Sequence, residues 1–122
     1  MGNLLLIASG GALGACLRYF LSNLIKLIHP NVLIGTFIVN ILGSFLIGLL
    51  MSNLEVKNIS ENFIRNFLII GFLGSFTTFS AFSFEIVNLI NNQKIFISLL
   101  YIFFSVSICV LFAHIGYNLN KI

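Results

Sequence analysis

The sequence predicts an all-α integral membrane protein, a single transmembrane channel domain of four helices over residues 1–122. Hydrophobic residues make up 59% of the chain and charged residues only 7%, whereas a soluble domain carries about 25% charged residues. Four stretches with at most one charged side chain each match the roughly 20 residues that a helix needs to cross a bilayer. So few charges cannot form a water-facing surface, and most of the surface must therefore face lipid.

The four predicted transmembrane helices are residues 3–25, 32–53, 61–91 and 95–120. The first ends in a loop around His29 and Pro30, because proline disfavours helical backbone in the residue before it. Ser60 is a candidate N-cap for the third helix. Because the chain crosses four times, both termini are expected on the same side of the membrane.

The third span contains a segment that forms a poor helix. Gly71 and Gly74 are followed by a run of hydroxyl and aromatic residues up to Ser80, and glycine disfavours helix. Non-helical backbone at membrane depth persists only where protein buries it or where it lines a polar cavity. We therefore predict a break in helix 3 near residues 74–78, where freed carbonyls can bind a cation. The alternative is an intact helix whose glycines allow close packing.

The basic residues are almost evenly divided between the two sides. The side of the termini carries Lys57, Arg65 and Lys121, and the opposite side carries Lys26, Lys94 and, within its span, Arg18. Orientation follows an excess of Lys and Arg on the cytoplasmic side. The near balance predicts insertion in both orientations, although balanced charge also occurs in proteins of fixed topology.

Small and polar residues mark faces of the first two spans. Gly10 and Gly14 form a small-xxx-small pair, which favours close helix packing. Arg18 follows one turn later, where it either holds carbonyls at a helix end, attracts anions, or extends its charge to the interface. Thr36 and Asn40 share one face of the second helix. Asn40 either bonds a neighbouring helix or faces a polar pathway.

A stripe of aromatic and hydroxyl residues continues along the third span. Its members are Phe76, Thr77, Phe79, Ser80, Phe82 and Ser83. A phenyl ring has a negative face and a positive edge, so rings presented edge-on can stabilise an anion and still release it. Glu85 follows near the end of the span. Tyr101 and Ser105 form a second hydroxyl stripe in the fourth span.

Several function classes are excluded. The sequence contains no metal-ligand cluster, no paired carboxylates and no phosphate-binding loop, so no enzymatic activity is expected. Six basic residues spread along an apolar chain exclude nucleic-acid binding. Cys16 and Cys109 both lie within spans, where small packing roles are expected.

Three segments resemble the CrcB/Fluc fluoride channel family. They are GGALGACLRY at residues 10–19, GTFIVNILGSF at 35–45 and GFLGSFTTFSAFSFE at 71–85. The resemblance implies a fluoride-selective channel that passively exports cytoplasmic fluoride from the cell, in a bacterial plasma membrane. It further implies an antiparallel, dual-topology homodimer with two pores, or a heterodimer with a related chain.

The resemblance also implies roles for individual residues. The fluoride pore is assigned to Phe79, Phe82, Asn40, Ser80, Ser83, Tyr101, Ser105 and, on the face of Asn40, Thr36. The backbone carbonyls of Gly74 and Thr77 match those that hold a structural sodium ion, Na+. Arg18 and Glu85 match polar residues near the vestibules.

Two other interpretations remain open from the residues alone. Small multidrug-resistance exporters also have four short spans, but they need a membrane-embedded carboxylate to exchange protons for cationic drugs. The first helix here has no acidic residue, and Glu85 lies near a helix end. The other interpretation is a non-transporting subunit of a larger complex.

Overall fold

The structure is a computed structural model that describes residues 1–56 and 61–119. These residues form helices α1 (Gly2–Ile28), α2 (Val32–Val56), α3 (residues 61–76), α4 (Phe79–Asn91) and α5 (Ile95–Asn118), with no strand among them. Lys57, Ser60 and Lys121, named above, and residue 120, the predicted end of the fourth span, lie outside the described residues.

Four helical segments are long and apolar enough to cross a membrane. They are Gly2–Ile28, Val32–Asn53, Ile64–Asn91 and Ile95–Asn118, and the third of them combines most of α3 with α4. The prediction of an all-α chain with four spans is therefore confirmed. The first helix extends three residues beyond the predicted end at residue 25. The chain is a multi-pass membrane protein.

The loops end the helices by recognisable local chemistry. At the end of α1, His29 adopts extended backbone (φ −130°, ψ 111°) directly before Pro30. At the end of α4, Gln93 has φ 59°. The N–H of Gln93 donates to the Ile90 carbonyl at 2.9 Å, and the N–H of Lys94 donates to the Leu89 carbonyl at 2.8 Å. This pair of bonds is the Schellman motif, in which glycine usually occupies the position of Gln93.

Helix α3 is wound irregularly. Ten of its residues, Ile64–Leu73, form a π-helix between short α-helical ends. π-Helical turns are rare and often lie near functional sites. Two residues of extended backbone, Thr77 (φ −77°, ψ 155°) and Thr78 (φ −146°, ψ 120°), then lie between α3 and α4.

Glycine contacts hold the helices together in two pairs. A Cβ at Gly10 or Gly14 of α1 would overlap main-chain atoms of α3, the carbonyl oxygens of Phe67 and Phe72 respectively. In lipid there is no hydrophobic driving force between helices, because lipid tails are as apolar as the side chains. Helices therefore associate largely through close packing of this kind. Helix α1 therefore lies directly against α3.

The second pair joins α2 to α5. A Cβ at Gly48 would overlap the carbonyl oxygen of Ala113, and a Cβ at Gly116 would overlap that of Phe45. The buried apolar core beside these contacts is small and centres on Val39, Leu73 and Phe76. Both the close backbone contacts at the glycines and this small apolar core therefore hold the helices together.

Candidate functional site

A groove of about 410 Å³ runs beside the extended residues between α3 and α4. Six predicted site residues line it: Asn40, Gly74, Thr77, Phe79, Phe82 and Ser105. Its other lining residues are Gly43, Ser44, Ile47, Leu73, Thr78, Val106, Cys109 and Val110. The tertiary structure thus brings polar atoms of three spans to one mostly apolar groove.

The hydrogen bonds of the extended residues differ from those of a helix. In a continuous α-helix the carbonyl of Gly74 would accept from the N–H of Thr78, and that of Thr77 would accept from the N–H of Ala81. Here the Thr78 N–H donates to Oδ1 of Asn40 at 2.8 Å. The Ala81 N–H donates to Oγ1 of Thr78 at 3.2 Å. The Gly74 and Thr77 carbonyls therefore lack these two helical donors.

Those two carbonyls fit a small cation. Unwound backbone carbonyls coordinate Na+ in membrane transporters, since hard oxygen atoms replace part of the hydration shell. Both residues line the groove, so the segment that carries these carbonyls lies beside a cavity. This donor chemistry agrees with the sodium ligands that the family resemblance implies.

Asn40 connects α2 to this segment through both ends of its amide. Besides accepting from the Thr78 N–H, it donates from Nδ2 to the Thr78 carbonyl at 3.0 Å. An amide nitrogen carries two hydrogens, so one further N–H remains for another partner. Of the two interpretations of Asn40, the bond to a neighbouring helix is present, and the groove-lining position agrees with the other.

Arg18 contacts the end of α3. Its Nε donates to the carbonyl of Ser75 at 3.1 Å, and the side chain is half-buried. A buried arginine in a span needs such partners, because a charged group is costly there. Of the three roles considered for Arg18, the structure contains the first, a bond to a carbonyl at a helix end.

Three aromatic rings form a row from the groove into the protein. The ring centroids of Phe79 and Phe82 are 5.6 Å apart with planes inclined by 49°, and those of Phe82 and Tyr101 are 5.2 Å apart, inclined by 53°. Phe82 is 6% exposed, whereas Phe79 is 76% exposed. Phe82 is therefore fixed by neighbours on both sides, and Phe79 presents its ring to the open side of the groove.

Glu85 of α4 accepts hydrogen bonds from hydroxyls of two other helices, and these three residues form a hydroxyl cluster. Oγ1 of Thr36 donates to Oε1 of Glu85 at 2.5 Å, and the hydroxyl of Tyr101 donates to Oε2 at 2.7 Å. Glu85 is 7% exposed. The sequence analysis did not predict that these three residues contact one another. Helical periodicity shows only which residues share a face of one helix.

A second cavity, of about 630 Å³, adjoins this cluster. Glu85 lines it together with Asn31, Asn92 and Lys94 from the loops. Glu85 therefore belongs both to the hydroxyl cluster and to the lining of a cavity that includes the basic residue Lys94. Its place beside this cavity agrees with the vestibule position that the resemblance implies.

The three serines assigned to the pore differ in their position and exposure. Ser105 lies in the groove, and its hydroxyl has no hydrogen-bond partner among residues 1–56 and 61–119. Ser80 is exposed, with its hydroxyl 3.2 Å from that of Thr78, and Ser83 is half-buried.

Thr78 is a groove residue that the sequence analysis did not select. Its hydroxyl caps α4 and its main chain pairs with Asn40. The signal that could have identified it is a threonine directly before a helical run, since threonine is a favoured N-cap residue.

Comparison with known proteins places the chain in a family. It matches the family described as CrcB-like protein, camphor resistance (CrcB), over residues 5–117. A Campylobacter jejuni protein named fluoride-specific ion channel FluC is 38% identical over 122 residues, 99% of each chain. Proteins of the same name from Methanococcus aeolicus (42% identical, 95% of this chain and 93% of the relative) and Pseudoalteromonas translucida (40%, 93% and 96%) are similar too. Since these matches span nearly its whole length, this chain belongs to the CrcB family.

Proposed function

We propose that the protein is a fluoride-selective channel rather than an enzyme, and that it lets cytoplasmic fluoride leave the cell passively through the plasma membrane of a bacterium. The single observation that carries this proposal is the groove, whose lining joins two phenylalanines, an asparagine and hydroxyl-bearing residues without a formally charged side chain. The relatives named fluoride-specific ion channel support fluoride as the ion.

The pore uses many weak donors in place of one strong one. Fluoride is small and strongly hydrated, so several groups must replace its water together, yet conduction requires that it leave again. Phe79 and Phe82 offer positive ring edges. Asn40, which keeps a spare N–H, and Ser105, whose hydroxyl has no hydrogen-bond partner among the described residues, line the same groove. Ser80 and Ser83 directly follow Phe79 and Phe82 along α4, outside the residues that line the groove.

Beyond the groove, the pore continues along the hydroxyls of Tyr101 and Thr36. Tyr101 adjoins Phe82 and bonds Glu85, and Thr36 bonds the same carboxyl group. These hydroxyls continue the route toward the cavity at the loops. Glu85 and Arg18 flank the pore near its vestibules.

Two chains in opposite orientations complete the channel. The groove is open along one side, and Phe79 at its edge is 76% exposed, which supports its closure by a second protein surface. The near balance of basic residues supports insertion both ways. A twofold axis in the membrane plane repeats every site, so an antiparallel homodimer has two equivalent pores. A related chain could replace one copy as a heterodimer.

A structural Na+ would be held by the carbonyls of Gly74 and Thr77, which flank and enter the extended segment of Thr77 and Thr78. Its positive charge would offset the carbonyl dipoles that lack helical donors at membrane depth. Asn40 and Thr78 keep the N–H groups of the segment away from these carbonyls.

The alternative, a proton-coupled cation exporter, is less well supported. Glu85 is a buried carboxyl group within a span, as such an exporter requires, but both of its oxygens already accept hydroxyl donors. The relatives also carry the name of a channel. Proton-coupled drug flux without fluoride current in a planar bilayer would make the exporter correct.

The test is fluoride efflux from liposomes that contain the purified chain, recorded with a fluoride electrode. Phe82→Ile and Phe79→Ile should each reduce efflux severely without dissociating the dimer, because an aliphatic side chain has no positive ring edge. Phe103→Ile is the matched control, since Phe103 is 64% exposed on α5 and does not line the groove. Full efflux in both groove variants would remove the phenylalanines from the pore.

Orientation is tested separately. A cysteine placed in the loop between α4 and α5 should react with a membrane-impermeant thiol reagent from both sides of the membrane. Labelling from one side only would contradict the antiparallel dimer, and no halide flux from any preparation of the chain, alone or with a related chain, would contradict the channel itself.

A further inference from the structure

The carbonyl of Ser75 receives its hydrogen bond from another helix. In a continuous α-helix its donor would be the N–H of Phe79, but the extended residues Thr77 and Thr78 lie between them. The Nε of Arg18 donates to this carbonyl instead, at 3.1 Å. A side chain of α1 therefore supplies the bond that the interrupted helix cannot make for itself.

The position of Arg18 is fixed by a close main-chain contact between α1 and α3. Gly10, Gly14 and Arg18 follow one another at intervals of four residues and so share one face of α1. The two glycines bring the α1 backbone against Phe67 and Phe72 of α3. The next turn along this face carries the arginine, and it meets the last turn of α3.

We propose that Arg18 is a positioning residue that caps α3 through its Nε–H, and that this bond, rather than the arginine charge, is what the channel requires. The capped turn contains Gly74 and ends at Thr77, the two carbonyl donors assigned above to sodium. Fixing the Ser75 carbonyl therefore fixes the direction of the carbonyls on either side of it. The inference rests on the proposed channel function.

Two substitutions separate the bond from the charge. In glutamine the amide nitrogen follows three side-chain carbons, as Nε does in arginine, so Arg18→Gln keeps a donor at the contacting position and removes the charge. In lysine that position is a methylene group, so Arg18→Lys keeps the charge and removes the donor. Lysine and arginine are not interchangeable where the planar group makes the contact.

The experiment measures fluoride efflux from liposomes over a series of sodium concentrations. The capping role predicts that Arg18→Lys loses roughly tenfold more flux than Arg18→Gln, since only the lysine variant leaves the Ser75 carbonyl without a donor at the contacting position. It also predicts that Arg18→Lys needs roughly tenfold more sodium for half-maximal flux and recovers at high sodium. A general loss of folding would not be rescued in this way.

Ionic strength gives an independent readout. A charge that attracts anions from a distance is screened by salt, with a Debye length of about 10 Å at 0.1 M. If Arg18 acted through its charge, wild-type flux would fall with added potassium gluconate and Arg18→Gln would be the more damaged variant. Lys26→Gln is the control for charge removal, because Lys26 is exposed at the end of α1 and does not line the groove.

The outcomes distinguish this inference from the proposed function. Fluoride efflux by the wild-type chain together with equal loss in the two variants, or a larger loss in Arg18→Gln, overturns the capping role and leaves the channel intact. Absence of fluoride efflux from the wild-type chain overturns the channel. A larger loss in Arg18→Lys, with the sodium requirement raised, supports both.

Discussion

Replacing Tyr101 by phenylalanine removes a single oxygen atom and tests whether Glu85 depends on its hydroxyl donors. The hydroxyl of Tyr101 lies 2.7 Å from Oε2 of Glu85. The ring itself packs against Phe82, with centroids 5.2 Å apart, and phenylalanine keeps that contact. The substitution therefore isolates the hydrogen bond from the packing.

The expected cost follows from the burial of the carboxyl group. Glu85 is 7% exposed, so water cannot readily replace the lost donor, and Thr36 remains as its partner on the other oxygen. Leaving a buried acceptor without its donor costs about 1–3 kcal/mol. At about 4 °C per kcal/mol for a chain of this size, the thermal midpoint should fall by roughly 4–12 °C.

The assay is thermal unfolding of the purified chain in detergent, followed by loss of the monodisperse species. Tyr19→Phe is the matched control, because Tyr19 is 72% exposed on α1 and should not change the midpoint. In a Glu85→Gln background, Tyr101→Phe should cost about half as much, since a bond to a neutral acceptor is weaker. A midpoint for Tyr101→Phe equal to that of Tyr19→Phe would refute the reasoning.

Two further substitutions test the helix contacts. Gly48→Ala should lower stability by about 1–3 kcal/mol, the usual cost of overpacking, because the new Cβ would lie 2.9 Å from the Ala113 carbonyl carbon and closer still to its oxygen. Gly35→Ala, in the same helix, places its Cβ 3.8 Å from Ser22 and should be neutral or stabilising; equal thermal midpoints for the two variants would contradict the close approach of α2 and α5. Gln93→Gly should raise the midpoint, since a non-glycine residue at φ 59° costs about 1–2 kcal/mol, partly offset by the greater freedom of glycine when unfolded. An unchanged or lower midpoint would indicate that the Gln93 side chain makes a compensating contact.

Much of the fold could be predicted because membrane insertion depends on local composition. The uncharged stretches located all four spans, and the loop at His29 and Pro30 ended α1 as expected. The π-helical winding of Ile64–Leu73 was not predicted. The segment contains Arg65, Asn66 and Gly71 among apolar residues, and it packs against the glycine face of α1.

The candidate site was predicted as a set of residues but not as an arrangement. Asn40, Phe79 and Phe82 were selected from the residue pattern and the family resemblance, and they line one groove. Thr78 was not selected, although it supplies both the cap of α4 and the partner of Asn40. A threonine beside another threonine gives no signal of which one turns its main chain toward a different helix.

The sequence by itself determined that the chain spans a bilayer and which segments cross it, because both properties follow from local composition. It also determined which residues resemble a family of fluoride channels, because short motifs carry that resemblance. Only the tertiary structure decided the partners: Asn40 with Thr78, Thr36 with Glu85 and Arg18 with Ser75, which are 38, 49 and 57 residues apart. Helical periodicity shows which residues share a face of one helix, but the neighbour of that face depends on how the helices pack. At this site the packing also decides which main-chain donors turn away from the Gly74 and Thr77 carbonyls.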